Sequence, residues 1–284
     1  MTRAVVLAAA VVAAAFVISY CFATRERVTG AVLLTYRRTG GVAGMSEEVV
    51  IYDDGRATVS GGGLSAGAKL PDELVSALRE VLERIGERGV LGPGPARGAA
   101  DYFTHRVESP ALGVNVSWVD PWAADGEVPE EIAVLDRLLS FARAYLLGWE
   151  SQPAASLSRG GLTLEVWVDR PWITPGGQVT VRVRAENVGG EPIVYRRPTP
   201  CHPDVSIAVE GGGADVTYVR PAYDPTKPCV QVISTREIPP GGSVVNSAVV
   251  TLSGPSDWVL WVRVSFPYPP QDPLTVRLPV VVVG

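Results

Sequence analysis

Residues 48–60 read Glu-Val-Val-Ile-Tyr-Asp-Asp-Gly-Arg-Ala-Thr-Val-Ser. Two β-rich runs, Glu48–Asp53 and Arg56–Ser60, flank Asp54-Gly55, a strong signal for a two-residue hairpin turn. Upstream, Ala31–Arg38 (AVLLTYRR) supplies a third strand. Downstream, a Gly-rich turn over Gly61–Gly67 leads into Pro71–Arg88, where Leu74, Leu78, Val81, Leu82 and Ile85 recur at helical spacing. Proline suits the first helical turn because its missing N–H has no intrahelical partner there. The opposite face carries Glu73, Arg79, Glu80, Glu83, Arg84 and Glu87, a pattern expected of a solvated face.

After the Gly/Pro/Ala loop 89–100, Asp101–Glu108 and Leu112–Val119 read as two further strands, and Pro129–Leu147 repeats the amphipathic helix pattern. Residues 28–150 are therefore expected to form one α+β domain, an antiparallel sheet with two helices on one face. Glu150–Gly161 reads as a polar linker, so residues 151–161 separate this domain from residues 162–284. Beyond it lie about eight alternating runs divided by Pro/Gly turns, from Leu162–Val168 to Leu274–Val283, as in an all-β immunoglobulin-like sandwich.

Composition narrows the function. The 284 residues are 46% hydrophobic with mean hydropathy +0.18, which excludes a disordered chain. Net charge −5 and pI near 5.2 remove the basic footprint of a nucleic-acid binder. The acidic excess belongs to the first half: residues 28–150 carry 11 basic and 18 acidic side chains, residues 151–284 carry 11 of each. Two His and three Cys make metal and Cys/His chemistry hard to assemble. His105 has no second His near it, His202 beside Cys201 reads as a loop residue before a metal ligand, and neither a Gly-x-Ser-x-Gly nor a His-Glu-x-x-His motif occurs. No cofactor, no metal and no enzyme activity are expected.

Ala4–Ala23 holds twenty uncharged residues, enough to cross a bilayer once as a helix. The expected location is the cell membrane, single-pass with the rest of the chain outside, or secretion if the segment is a cleaved signal. Cys21 follows the bulky Tyr20, which disfavours lipidation. In an oxidising compartment Cys201 and Cys229 could form a disulfide, the alternative being two unpaired thiols, and Asn115-Val116-Ser117 is a candidate glycosylation sequon.

The remaining feature is the small-residue loop Arg38-Thr39-Gly40-Gly41-Val42-Ala43-Gly44 directly after the first strand. A loop of this kind presents backbone groups with little steric obstruction. The run Leu33–Gly44, Asp53-Asp54-Gly55, the helix Pro71–Arg88, the strand Ala100–Val107 and the closing Val128-Pro129-Glu130 together resemble the emfourin family, proteinaceous inhibitors of thermolysin-like metallopeptidases. That resemblance covers residues 31–148 and implies a protein partner, a peptidase whose cleft the loop Arg38–Gly44 would approach. Residues Val181–Asn187, Gly189–Ile193 and Ile238–Ser243 are similar, more weakly, to the BsuPI-type proteinase inhibitor domain, an immunoglobulin-like sandwich. A structural or adhesive surface protein is the alternative reading.

Overall fold

The computed structural model describes residues 30–149, 151–197, 203–220, 233–267 and 273–284. Strands β1 (Val32–Gly40), β2 (Met45–Tyr52), β3 (Arg56–Gly61), β4 (Leu64–Lys69), β5 (Phe103–Ser109) and β6 (Val114–Val119) form an antiparallel sheet in the order β4-β3-β2-β1-β5-β6. The β2–β3 connection is longer than a two-residue turn. Ile51 pairs with Ala57, Gly55 N–H donates to Tyr52 O, and Asp54 accepts from the Arg56 backbone and guanidinium. Strand β4 occupies a stretch expected to be a turn; as an edge strand it is mostly exposed, so its sequence lacks an apolar alternation.

Helix α1 (Asp72–Arg88) starts behind Pro71 with Asp72 and Glu73 in its first turn and ends at Gly89 in the left-handed region. Helix α2 (Glu130–Leu146) starts behind Pro129 in the same way. Both bury one stripe on the sheet: Leu74, Leu78, Val81 and Ile85 from α1, Leu135, Leu138 and Ala142 from α2, against Leu34, Ile51, Val59, Val107 and Val116.

Among the described residues that follow, every regular element is a strand. One sheet runs β13 (Ala214–Arg220), β15 (Ser243–Leu252), β10 (Gln178–Asn187), β8 (Leu162–Val168), β7 (Ala155–Arg159). A second runs β12 (Ser206–Glu210), β16 (Val259–Phe266), β17 (Leu274–Val282), β9 (Trp172–Ile173), and β11 (Ile193–Arg197) pairs with β14 (Ser234–Ile238). Strand β7 lies within the stretch read as linker. The fully buried Asn187 ties the β10–β11 turn together: its Nδ2 donates to Glu191 O and Ile238 O, and its Oδ1 accepts from Gly189 N–H.

Residues 32–284 form one compact unit. Trp172, Val259, Val281 and Val283 join the same core as the two helices. Phe141 meets Trp172 edge-to-face at 5.4 Å, Arg84 lies 4.5 Å from the Trp258 ring centre, and Trp261 Nε1 donates to Glu130. The charged face of α1, expected in solvent, is thus partly roofed by the C-terminal strands, and the helices form a layer between sheets.

These findings correct the expected fold class, a transmembrane helix followed by an α+β domain and an immunoglobulin-like sandwich. Half of the described residues are strand and 17% helix, and α1 and α2 are the α-helices among them. The span expected over residues 4–23 lies outside the described residues, and no described helix is long and apolar enough to cross a membrane. The membrane-anchored, cell-surface location is withdrawn on that ground. Cys201, His202 and Cys229 lie outside the described residues, among which there is no disulfide, and the expected bond is withdrawn too.

Candidate functional site

Alternation along β1 sends Arg37 to the outer face of the sheet and Tyr36 and Arg38 to the inner face, toward α2. Register then decides who meets whom. Arg38 stands opposite Glu47 on β2 and His105 on β5. The inner face, apolar at Leu34, Ile51 and Val107, becomes charged toward the β1–β2 tip.

Glu47 is the centre of that charged end. It is only 3% exposed, and Arg143 of α2 grips it in a fork, Nε to Oε2 at 3.0 Å and Nη2 to Oε1 at 2.8 Å. Arg38 Nη1 approaches the same carboxylate at 3.7 Å while its guanidinium stacks 3.6 Å over Phe103. A bidentate guanidinium–carboxylate pair fixes angle as well as distance, so the strand pair β1–β2 is bolted to α2 immediately behind its turn. The outer pair Arg37–Glu48, at 2.7 Å, is exposed on both sides and holds nothing else.

The turn itself, Gly41–Gly44, projects beyond this brace. Gly41 N–H donates to Tyr102 O and Gly44 N–H to Gly41 O, both at 3.0 Å. Gly40 (φ 126°) and Gly41 (φ 71°) are required twice over: a Cβ on the first would lie 2.5 Å from Tyr102 O, and on the second 2.9 Å from Phe103 Cζ. At the apex Val42 is 87% exposed, with Thr39, Ala43 and Gly44 also exposed. The structure therefore brings all seven residues of the sequence-predicted loop together, but divides them: Arg38 and the first two glycines anchor the turn, and Val42–Gly44 are free to meet a partner.

Beside the brace lies a cluster that sequence reading missed. His105 is 5% exposed, with Nδ1 at 2.8 Å from Tyr36 Oη and Nε2 at 3.0 Å from Asp120 Oδ1. Asp120 Oδ2 accepts from Phe103 N–H, and Asp136 Oδ1 accepts from Trp118 Nε1 at 3.1 Å and lies 3.6 Å from His105 Nδ1. The rings of Tyr36, His105 and Trp118 form a triangle of near-parallel planes, the imidazole centre 6.0 Å from Tyr36 and 5.2 Å from Trp118 and the other two centres 6.4 Å apart. Burial raises the Tyr36 phenol far above its usual range, Asp136 adding to the effect, so the hydroxyl stays protonated. Both ring nitrogens are engaged. The order Asp–His–hydroxyl mimics a catalytic triad, with both imidazole nitrogens taken up by Tyr36 and Asp120, and these three side chains border one cavity together with Asp136. Only the spacing of Tyr36, His105 and Trp118 along inward-facing strand positions could have signalled it.

Asn115 is exposed on edge strand β6. Among the described residues no group of three or more His, Cys, Asp or Glu is arranged to hold a metal.

No protein-family profile and no curated protein matches the chain. Among solved structures it is similar to a FixG-related protein from Vibrio parahaemolyticus, at 9% identity over 44% of this chain and 98% of that one, TM-score 0.28. It is also similar to the GAE domain of GGA2p from Saccharomyces cerevisiae (8% identity, 44% and 95%, TM-score 0.24) and to PapD-like domain 7 of human CEP192 (14% identity, 45% and 89%, TM-score 0.23). None of these three is an emfourin or a BsuPI-type protein. At such scores the likenesses carry no argument about fold or function.

Proposed function

We propose that the chain is a non-catalytic peptidase-binding protein that inhibits a thermolysin-like metallopeptidase by seating the Gly41–Gly44 turn in its cleft. The observation that carries this reading is an 87%-exposed Val42 at the apex of a turn whose stem is clamped by the Arg143–Glu47–Arg38 brace. A wedge held in one conformation before binding loses little entropy on association. The resemblance of Leu33–Gly44 to the emfourin loop supplies the partner class.

Gly41 is unsuitable for testing this, since any side chain there strains the backbone and strikes Phe103. Val42 is suitable, because its side chain is almost wholly in solvent. The full chain is expected to inhibit a thermolysin-like peptidase, and Val42→Asp to raise the inhibition constant at least about 30-fold, the equivalent of a hot-spot loss of about 2 kcal/mol, with its melting temperature unchanged. A chain that leaves the peptidase fully active at micromolar concentration ends this reading. An unchanged constant for Val42→Asp moves the contact elsewhere.

A further inference from the structure

Helix α2 directs two consecutive residues of opposite charge, Asp136 and Arg137, to one cavity of about 300 Å³ beside the His105 cluster. The other charged groups around this cavity are already answered. Arg38 and Arg143 share Glu47, and Asp120 is taken up by His105 and the Phe103 N–H. Arg137 is different. Its Nε is buried without a hydrogen-bond partner, and no carboxylate among the described residues forms an ion pair with it. Desolvation pushes its guanidinium down to about 10, against the pull of the Asp136 charge. Asp136 uses Oδ1 for Trp118 and His105, and no described donor reaches Oδ2.

A guanidinium nitrogen buried without a partner is costly to folding, and the half-buried Arg137 has one in its Nε. Here it stands beside a carboxylate with a spare acceptor oxygen, and both open on a space walled by Phe141, Ala144, Trp149, Pro153 and Val168. What complements that arrangement is a small molecule with an anionic fork at one end, a hydrogen-bond donor one carbon away, and a short apolar body.

We propose that this cavity binds a small α-substituted carboxylic acid, an amino acid or hydroxy acid, with its carboxylate on the Arg137 guanidinium and its ammonium or hydroxyl group on Asp136. The site is separate from the Val42 turn and does not depend on peptidase binding.

The test is titration of the full chain, followed by tryptophan fluorescence, which Trp149 in the cavity wall would report, and by melting temperature. The probes are each proteinogenic amino acid, then lactate and malate, then acetate and propionate, which lack the α-donor, to about 10 mM, a range in which even millimolar sites respond. At least one amino or hydroxy acid is expected to saturate the signal and raise the midpoint by several degrees, with acetate and propionate at least tenfold weaker. Arg137→Gln is expected to weaken binding at least tenfold while melting no lower than the wild type when unliganded, since it removes a half-buried charge whose Nε has no partner. Arg137→Lys, which keeps the charge and loses the fork, should fall between them and serves if the Gln variant does not fold. No saturable response to any amino or hydroxy acid overturns the proposal, as does a response that Arg137→Gln retains. An equal response to acetate reduces the site to a simple anion site and overturns the α-substituted assignment. A clear loss of unliganded stability in Arg137→Gln gives the residue a structural role instead.

Discussion

Glu47→Ala removes the carboxylate that two guanidinium groups share. Breaking a buried ion pair by deleting one partner costs about 3–5 kcal/mol, because the other charge is left buried and unpaired. Here the carboxylate is 3% exposed but the side chains of Arg143 and Arg38 are 18% and 25% exposed, so water recovers part of their solvation. The net loss is then about 2–3 kcal/mol, the lower part of that range combined with the cost of orphaned charged hydrogen bonds. In a unit of this size each kcal/mol lowers the melting temperature by about 2–4 °C, so a fall of about 4–12 °C is expected. Urea unfolding should show a lower midpoint with an unchanged slope. Glu48→Ala, one residue along and on the outer face, should cost less than about 0.5 kcal/mol, since its pair with Arg37 is solvent-exposed. Glu47→Leu combined with Arg143→Met should cost less than Glu47→Ala alone, because fewer charges are stranded. Equal effects for Glu47→Ala and Glu48→Ala would refute the claim that the inner carboxylate braces the turn.

Gly92→Ala should destabilise by more than about 2 kcal/mol, since its Cβ would lie 2.2 Å from Ser117 O, whereas Gly94→Ala, in open space, should be neutral; chemical denaturation of the pair separates them. His105→Ala leaves Asp120 Oδ1 and Tyr36 Oη without their partner and a gap beside two rings, and should cost about 2–4 kcal/mol in the same assay. Desolvation raises the Asp136 carboxyl above its ordinary range, outweighing the pull of His105 and the Trp118 hydrogen bond. The folded chain therefore holds that proton more tightly than the unfolded chain. Its contribution is present at acid pH and is lost as pH rises through the folded-state value, so Asp136→Asn should be more stable than wild type at neutral pH and indistinguishable below about pH 4. Trp172→Ala removes the ring packed on Phe141 and should cost about 3–5 kcal/mol; if it also splits unfolding into two calorimetric transitions, that ring couples the helices to the C-terminal strands.

Where one residue's period decided the outcome, the sequence was sufficient. Helices α1 and α2 begin and end within a residue or two of the positions that their prolines and apolar spacing mark, and Leu162–Val168 and Val259–Phe266 are strands over those residues. It failed where the deciding partner was distant or the strand was short. Strands β4, β7 and β14 are edge or minor strands with mostly exposed side chains, so no buried face left an alternation to read. The roofing of α1 and α2 depends on Trp172, Trp258 and Trp261, which in sequence are aromatic residues like any others. Within the candidate site, the small-residue turn was legible because glycine is informative locally. Its brace was not: Glu47 and Arg143 are 96 positions apart, and nothing in either neighbourhood marks them as a pair.

That separation bears on how the two proposed sites relate. Arg38 and Arg143 line the cavity beside Asp136 and Arg137, and the same two side chains hold Glu47 behind the turn. Because both are already committed to Glu47, a carboxylate ligand entering the cavity gains most from the one guanidinium that is uncommitted, Arg137. A ligand that instead drew Arg143 away would have to break a two-pronged charged hydrogen bond, at a cost of the same order as Glu47→Ala. Ligand binding should therefore leave the turn's brace intact. The inhibition constant of the full chain, measured with and without a saturating cavity ligand, is expected to be the same within a factor of two or so, since uncoupled sites carry no coupling free energy. A tenfold change would mean that the ligand reaches Arg38 or Arg143, and that the charged end of this sheet works as a single switch.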